Sequence, residues 1–153
     1  VDPGLIVWLE EHVGMPPSEL AATLEHRSGL LGLTGESDLR TILEAESAGS
    51  EDAALGVAVY LHRLCGQVAA MTAALGGLDV LVFTGGVGEN AAAIRSRSAA
   101  GLFFRGVALD EARNAASVPD AEIGASDAAV RTFVVRAGED LQIARDVRLV
   151  LSS

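Results

Sequence analysis

The chain has 153 residues, half of them apolar, with a mean hydropathy of +0.36, a formal net charge of −10 and a pI near 4.6. It is long enough for a real hydrophobic core and too apolar for a disordered segment, and its acidic balance leaves no broad basic face for nucleic acid. All eleven basic residues are arginine, which excludes a Walker A or Schiff-base lysine, and the single Cys65 excludes an internal disulfide or a multi-thiolate metal site.

Val1-Asp2-Pro3-Gly4 opens the chain without Met or a signal peptide, which suggests a fragment or a processed product. Leu5–His12 is expected to form a short helix, with Ile6, Leu9 and Val13 on one side. A second is expected over Ser18–His26, started by Pro16-Pro17 and capped by Ser18. Ser28–Gly35 reads as a Gly- and Leu-rich connector. Ser37 is expected to cap a third helix through Glu46, and Gly49-Ser50 separates that helix from a long one beginning near Glu51.

In the long helix Val57, Leu61, Leu64, Val68, Met71 and Leu75 recur at steps of four and three, a stripe expected to pack in a core. The apolar stretch Ala53–Leu78 is interrupted by His62, Arg63 and Gln67, so it reads as a buried helix and not as the ~18-residue run of a membrane span. Cys65 within it reads as a small core residue. Gly76-Gly77 ends the helix, and Leu78–Phe83 is expected to be a fully buried strand.

Thr84-Gly85-Gly86-Val87-Gly88 then reads as a turn, followed by a helix over Glu89–Ala100 with Arg95 and Arg97 toward its polar side. A strand around Val107, a helix from Asp110 and strands around Ile123 and Thr132–Val135 come next. Gly138–Leu151 closes the chain as an amphipathic helix with Ile143, Val147 and Val150 inward. The alternation predicts an α/β fold, with residues 1–50 a helical segment packing on an α/β domain of residues 51–153.

Three segments could carry chemistry. The strongest is Phe83 to Asn90, where a strand delivers the chain to a glycine-rich turn and a helix follows. Glycines let backbone approach a ligand closely, and the N–H groups beyond them suit an anion or a nucleotide; the plain alternative is a tight strand-to-helix turn capped by Asn90. Gly88→Val is therefore expected to block nucleotide approach. The same residues fit G-x-G-x-x-A weakly, with Asp110 about twenty positions on, as in dinucleotide-binding oxidoreductases. Glu89 would point a carboxylate into that turn, and Asp110 reads as a helix cap.

The second segment is Ala137-Gly138-Glu139-Asp140, at the carboxyl end of a strand, where one carboxylate could hold Mg²⁺ against phosphates. The alternative is that acids favour a helix N-terminus. The third is Ser37-Asp38-Leu39-Arg40, by default a capped helix with a solvated arginine. His12, His26 and His62 lie far apart in sequence and pair with no nucleophile or metal-ligand spacing.

Together these segments resemble the acetate and propionate kinase family. Val1-Asp2-Pro3-Gly4 is similar to the end of its G-D-[IV]-D-P-[GA] segment, and Ser28-Gly29-Leu30-Leu31-Gly32 to S-G-[LV]-L-G. Phe83-Thr84-Gly85-Gly86-Val87-Gly88-Glu89-Asn90, continuing to Ile94-Arg95, resembles the specific signature F-T-[AG]-G-[IV]-G-E-N-x4-I-R. The resemblance covers the whole chain but only about the last two-fifths of the family's length, and it implies the C-terminal part of the actin-like fold, a mixed sheet with flanking helices.

By resemblance, Gly86, Val87, Gly88, Glu89 and Asn90 would cradle ATP or ADP, with Ile94 against the adenine. Asp38, Leu39 and Arg40 would make a second nucleotide contact, and Glu139 would be the Mg²⁺-associated glutamate. The family usually has one more residue in the S-x-D-x-R stretch and often an aromatic or Met at Leu39, and its T-[ND]-E-E is here Ala137-Gly138-Glu139-Asp140. The resemblance further implies acetate as the acceptor, with propionate as the alternative, and a homodimer; the single cysteine, the acidic charge and the lack of a long apolar run lead to the expectation of a cytoplasmic chain with no nucleic-acid or membrane partner. The family's catalytic arginines, histidine and aspartate belong to the missing N-terminal part, so the isolated chain is expected to be inactive. A non-catalytic interaction module, with the apolar helix as its partner surface, is the remaining rival.

Overall fold

The computed structural model describes residues 2–151, so Val1 of the opening motif and the last two residues of the expected second domain lie outside the described residues. The chain divides into two compact units, Val1–Tyr60 and Leu61–Ser153, and the division falls inside the longest helix.

The first unit is helical. Helix α1 (Pro3–Trp8) is capped by the Asp2 side chain, which accepts from the Gly4 N–H at 2.7 Å, and it continues as a wider π-turn over Leu9–Val13. Helix α2 (Pro17–His26) begins one residue before Ser18. Pro16 is the N-cap and Pro17 the first helical residue, so the fixed φ of proline starts the helix without a capping side chain.

The expected connector Ser28–Gly35 contains a short helix α3 (Gly29–Thr34), whose end is marked by Gly35 in the left-handed conformation, φ 76°. Its Thr34 hydroxyl donates back to the Leu30 carbonyl at 3.0 Å. Helix α4 (Leu39–Ser47) is capped by Asp38, not Ser37. Glu36 accepts from the N–H groups of both Ser37 (2.6 Å) and Asp38 (2.8 Å), which sets the chain one residue further on before the helix starts.

Helix α5 (Glu51–Leu75) is the predicted long helix. Ala53, Gly56 and Val57 are buried, and a Cβ at Gly56 would collide with the Thr34 methyl, so glycine permits close crossing of α3 and α5. The expected apolar stripe is buried only at its start. Leu61, Leu64 and Val68 are half-buried, Met71 is exposed, and Leu75 is 77% exposed. The stripe therefore runs beyond the surface that covers it, and the expectation of a buried helix is corrected. By length and composition alone α5 could cross a bilayer. Arg63 at its midpoint opposes that, since a charged side chain at the centre of a membrane costs about 3 kcal/mol.

The second unit carries a three-stranded sheet in the order β1-β3-β2. Strand β1 (Val80–Phe83) runs parallel to the central β3 (Arg131–Val134), with Phe83 opposite Val134. The two-residue β2 (Ala121–Glu122) pairs with β3 antiparallel. Strand β1 is not fully buried as expected. It lies at the sheet edge with alternate residues exposed, Val82 to 47%, because only one of its faces is covered. The expected strand at Val107 is a single parallel bridge to Val130.

Beyond β1 come α6 (Gly85–Asn90) and α7 (Ala92–Gly101), then α8 (Glu111–Ala116) and finally α9 (Glu139–Leu151). The expected turn followed by one helix is thus two helices, broken at Ala91. Ala99, Leu102, Val107 and Val130 form a core cluster against which Cys65, Val68, Leu78, Leu81 and Leu109 pack. Gly101 lets Cys65 approach: a Cβ there would stand 2.8 Å from its sulfur. Helix α9 buries nothing, so Ile143, Val147 and Val150 form an uncovered stripe and not the inner face expected of them.

Candidate functional site

The sheet places two of the three sequence-predicted segments side by side. Strands β1 and β3 are parallel neighbours, and pairing continues past β3, where the Val135 N–H donates to the Phe83 carbonyl at 2.9 Å. Both chains then leave the same edge, at the strands' carboxyl ends, where open α/β sheets bind ligands. One continues into Gly85–Asn90, the other into Ala137-Gly138-Glu139.

The two glycine-bearing turns are open. A Cβ at Gly85, Gly86 or Gly138 would meet nothing within 4 Å, so these three positions face open space. Gly85 (φ 72°) and Gly138 (φ 63°) lie in the left-handed region that favours glycine. Gly88 differs: a Cβ there would sit 3.0 Å from the Phe83 carbonyl carbon. A side chain at Gly88 would therefore crowd the Phe83 main chain, because the helix doubles back on its own strand.

Thr84, the residue before α6, contributes no side-chain cap. The Gly85 N–H instead donates to Glu89 Oε1 at 3.0 Å, and the same oxygen accepts from the Ala137 N–H at 2.9 Å. Asn90 is not a helix N-cap; its side chain donates to the Gly86 carbonyl at 2.8 Å and closes α6 from its far end.

Arg95 was expected on the polar side of its helix and is instead 2% exposed. Each of its five donors has a neutral acceptor. Nε donates to Asn114 Oδ1 (2.7 Å), Nη1 to the carbonyls of Gly88 (2.9 Å) and Glu89 (3.0 Å), and Nη2 to the Asn114 carbonyl (2.8 Å) and the Ser117 hydroxyl (2.9 Å). Burial pulls its pKa below the ordinary arginine value. A signal for this was present: Arg95, Ala99 and Leu102 are spaced four and three apart, so the arginine occupies the helix's inward stripe. Ile94 beside it is also buried.

Asp38, Leu39 and Arg40 stand in the first unit. Asp38 Oδ1 accepts from the Arg40 N–H at 2.8 Å, and its Oδ2 accepts from the Arg40 guanidinium at 2.8 Å. That guanidinium, with the helix-cap N–H, holds the Asp38 carboxyl down to about 2. Leu39 is buried and Arg40 is exposed.

Glu139 is exposed at the first turn of α9 beside Asp140. Among the described residues no group of three or more His, Cys, Asp or Glu side chains could cage a metal ion. Cys65 donates to the Ser98 carbonyl at 3.6 Å, and burial pushes its thiol pKa up, away from a reactive thiolate. Asp110 accepts from the Arg113 N–H at 3.0 Å as the N-cap of α8, so its carboxylate is committed to a helix start.

The profile of the Acetokinase family matches residues 1–145. The chain belongs to the acetokinase family. It is 44% identical over 147 residues to the acetate kinase of Synechocystis sp., which covers 95% of this chain and 36% of that protein. The solved acetate kinase of Porphyromonas gingivalis superposes with a TM-score of 0.88 at 37% identity, over 99% of this chain and 38% of that one. A propionate kinase from Francisella tularensis superposes with a TM-score of 0.87 at 32% identity, over 94% of this chain and 37% of that one. This acetokinase chain thus spans little more than a third of the curated relatives it matches. Its α/β architecture is that of the acetate and propionate kinases, as the resemblance implied. Family membership, with Asp110 spent on a helix cap, removes the support for a dinucleotide-binding oxidoreductase.

Proposed function

We propose that this chain supplies the nucleotide-binding part of an acetate kinase, in which the γ-phosphate of ATP passes reversibly to acetate to give ADP and acetyl phosphate. One observation carries the reading: two open glycine turns leave the carboxyl ends of paired parallel strands and are joined through Glu89. In the transfer the bond from the γ-phosphorus to the β–γ bridging oxygen breaks and one to an acetate oxygen forms. Such a reaction needs positioning and charge neutralisation more than covalent help from the protein.

On this reading the main chain of Gly86, Val87, Gly88, Glu89 and Asn90 lies along the nucleotide, and buried Ile94 backs the adenine position. Asp38, Leu39 and Arg40 provide the second contact. A single exposed carboxylate fits Mg²⁺, which prefers one or two carboxylates plus waters and substrate phosphates over an all-protein cage. Glu139 would hold it, and the ion would neutralise phosphate charge. Residues 51–153 form the nucleotide-binding domain, the acceptor pocket and catalytic arginines come from the rest of the enzyme, and the enzyme is a cytoplasmic homodimer.

Propionate is the second reading for the acceptor, favoured by the likeness to a propionate kinase. The test is calorimetric titration of the chain with ATP and Mg²⁺, alongside an acetyl phosphate assay. Saturable ATP binding without acetyl phosphate formation is expected. No ATP binding, or robust turnover by the chain alone, would refute the assignment.

A further inference from the structure

We infer that Glu89 is a positioning residue, whose carboxylate latches the glycine segment to the Ala137–Glu139 turn and so sets where Glu139 stands relative to the nucleotide's phosphates. The inference rests on the nucleotide reading above and assigns Glu89 a role its main chain does not fill.

One oxygen, Oε1, takes both N–H groups, from Gly85 at 3.0 Å and from Ala137 at 2.9 Å, across 48 positions of chain. Each donor lies next to or within a glycine hinge. Gly85 has a φ of 72° and Gly138 a φ of 63°, and neither has a neighbour within 4 Å of a would-be Cβ. Unrestrained glycine hinges sample several conformations. Two bonds converging on a single carboxylate oxygen tether both turns to one point beside those hinges.

The latch works from a fixed base. Arg95 holds the Glu89 carbonyl at 3.0 Å and the Gly88 carbonyl at 2.9 Å, and is itself held by Asn114 and Ser117. Ala137 precedes Glu139 by two residues, so restraining the Ala137 N–H restrains the start of α9. The carboxylate of Glu89 thus binds protein, and its geometry, not its charge, is what the site requires. Because both bonds converge on one oxygen, a glutamine carbonyl can replace it. A group needed for its negative charge could not be replaced so.

The test uses the chain with Glu89→Gln and Glu89→Ala, and reads two quantities. The first is hydrogen exchange at the Gly85 and Ala137 amides without nucleotide. The second is the factor by which Mg²⁺ strengthens ATP binding. In Glu89→Ala both amides should exchange faster and the Mg²⁺ factor should fall about tenfold, the scale of losing a residue that orients a metal ligand. Glu89→Gln should restore amide protection and most of the Mg²⁺ factor.

A glutamine variant that keeps amide protection but loses the Mg²⁺ factor would overturn the inference, since charge would then be the requirement. So would an unchanged Mg²⁺ factor in Glu89→Ala. Should that variant not fold, the glutamine comparison decides alone. Wild-type chain that binds no ATP refutes the nucleotide reading and the positioning role with it, while exchange at the two amides still reports the latch itself.

Discussion

Arg95 grips Asn114 twice, its Nε donating to the side-chain oxygen at 2.7 Å and its Nη2 to the main-chain carbonyl at 2.8 Å. Asn114 answers by donating to the Ala92 carbonyl at 3.0 Å, so α7 and α8 are joined by a closed polar loop inside the second unit. A buried guanidinium is tolerable because every donor is matched and two acceptors are carbonyls at the negative end of α6.

Replacing Arg95 leaves several buried acceptors unmatched. Arg95→Met and Arg95→Lys are each expected to destabilise the chain by about 2–4 kcal/mol, read by urea denaturation. Lysine does not rescue, because three donors on a point charge cannot span acceptors arranged for a planar fork. A lysine variant within about 0.5 kcal/mol of wild type would show that the clamp carries no weight.

Gly86 and Gly88 should fail differently. Gly86→Val enters open space, so the fold should persist while ATP affinity falls. Gly88→Val drives a branched side chain against the Phe83 main chain, and a loss of about 1–3 kcal/mol in stability is expected. Thermal denaturation and ATP titration of both variants separate the two effects. Equal stability with equal loss of binding would contradict the distinction.

Acid should act on the α4 cap. The folded Asp38 carboxyl is held at about 2, below its ordinary 3.8, by Arg40, and Glu36 is lowered by the N–H groups of Asp38 and Ser37. A depressed carboxylate contributes stability above its unfolded value and loses it as the pH drops through the folded value. The cap is therefore intact above pH 3.8 and released as the pH falls toward about 2. The Arg40 amide resonance should titrate with a midpoint near 2, and in Asp38→Asn that titration should vanish. A midpoint at the ordinary carboxylate value would argue against the Asp38–Arg40 pair.

Much of the local structure could be read directly. The span of α5, the strand before the glycine turn, the Asp110 cap and the strand at Thr132 all follow from periodicity, from glycine punctuation and from the preference of short acids for helix starts. These are local signals, carried by neighbours within a few positions. The glycine signature at Phe83–Asn90 likewise pointed to the family whose profile the chain matches.

What neighbours far along the chain contribute could not be read that way. Periodicity marks an apolar face but not whether anything covers it, so the exposed ends of α5 and α9 looked the same as buried ones. Ser18 and Ser37 met the rule for caps, yet Pro17 and Asp38 start the helices, because proline's fixed φ and the paired N–H groups on Glu36 decide the entry. The inward turn of Arg95 and the double acceptance by Glu89 needed the packing of α6, α7, α8 and β3 around them. Composition and spacing fix what each segment can do alone; only the folded chain brings Ala137 within reach of a carboxylate 48 positions away, since hydrogen bonds depend on distance in space.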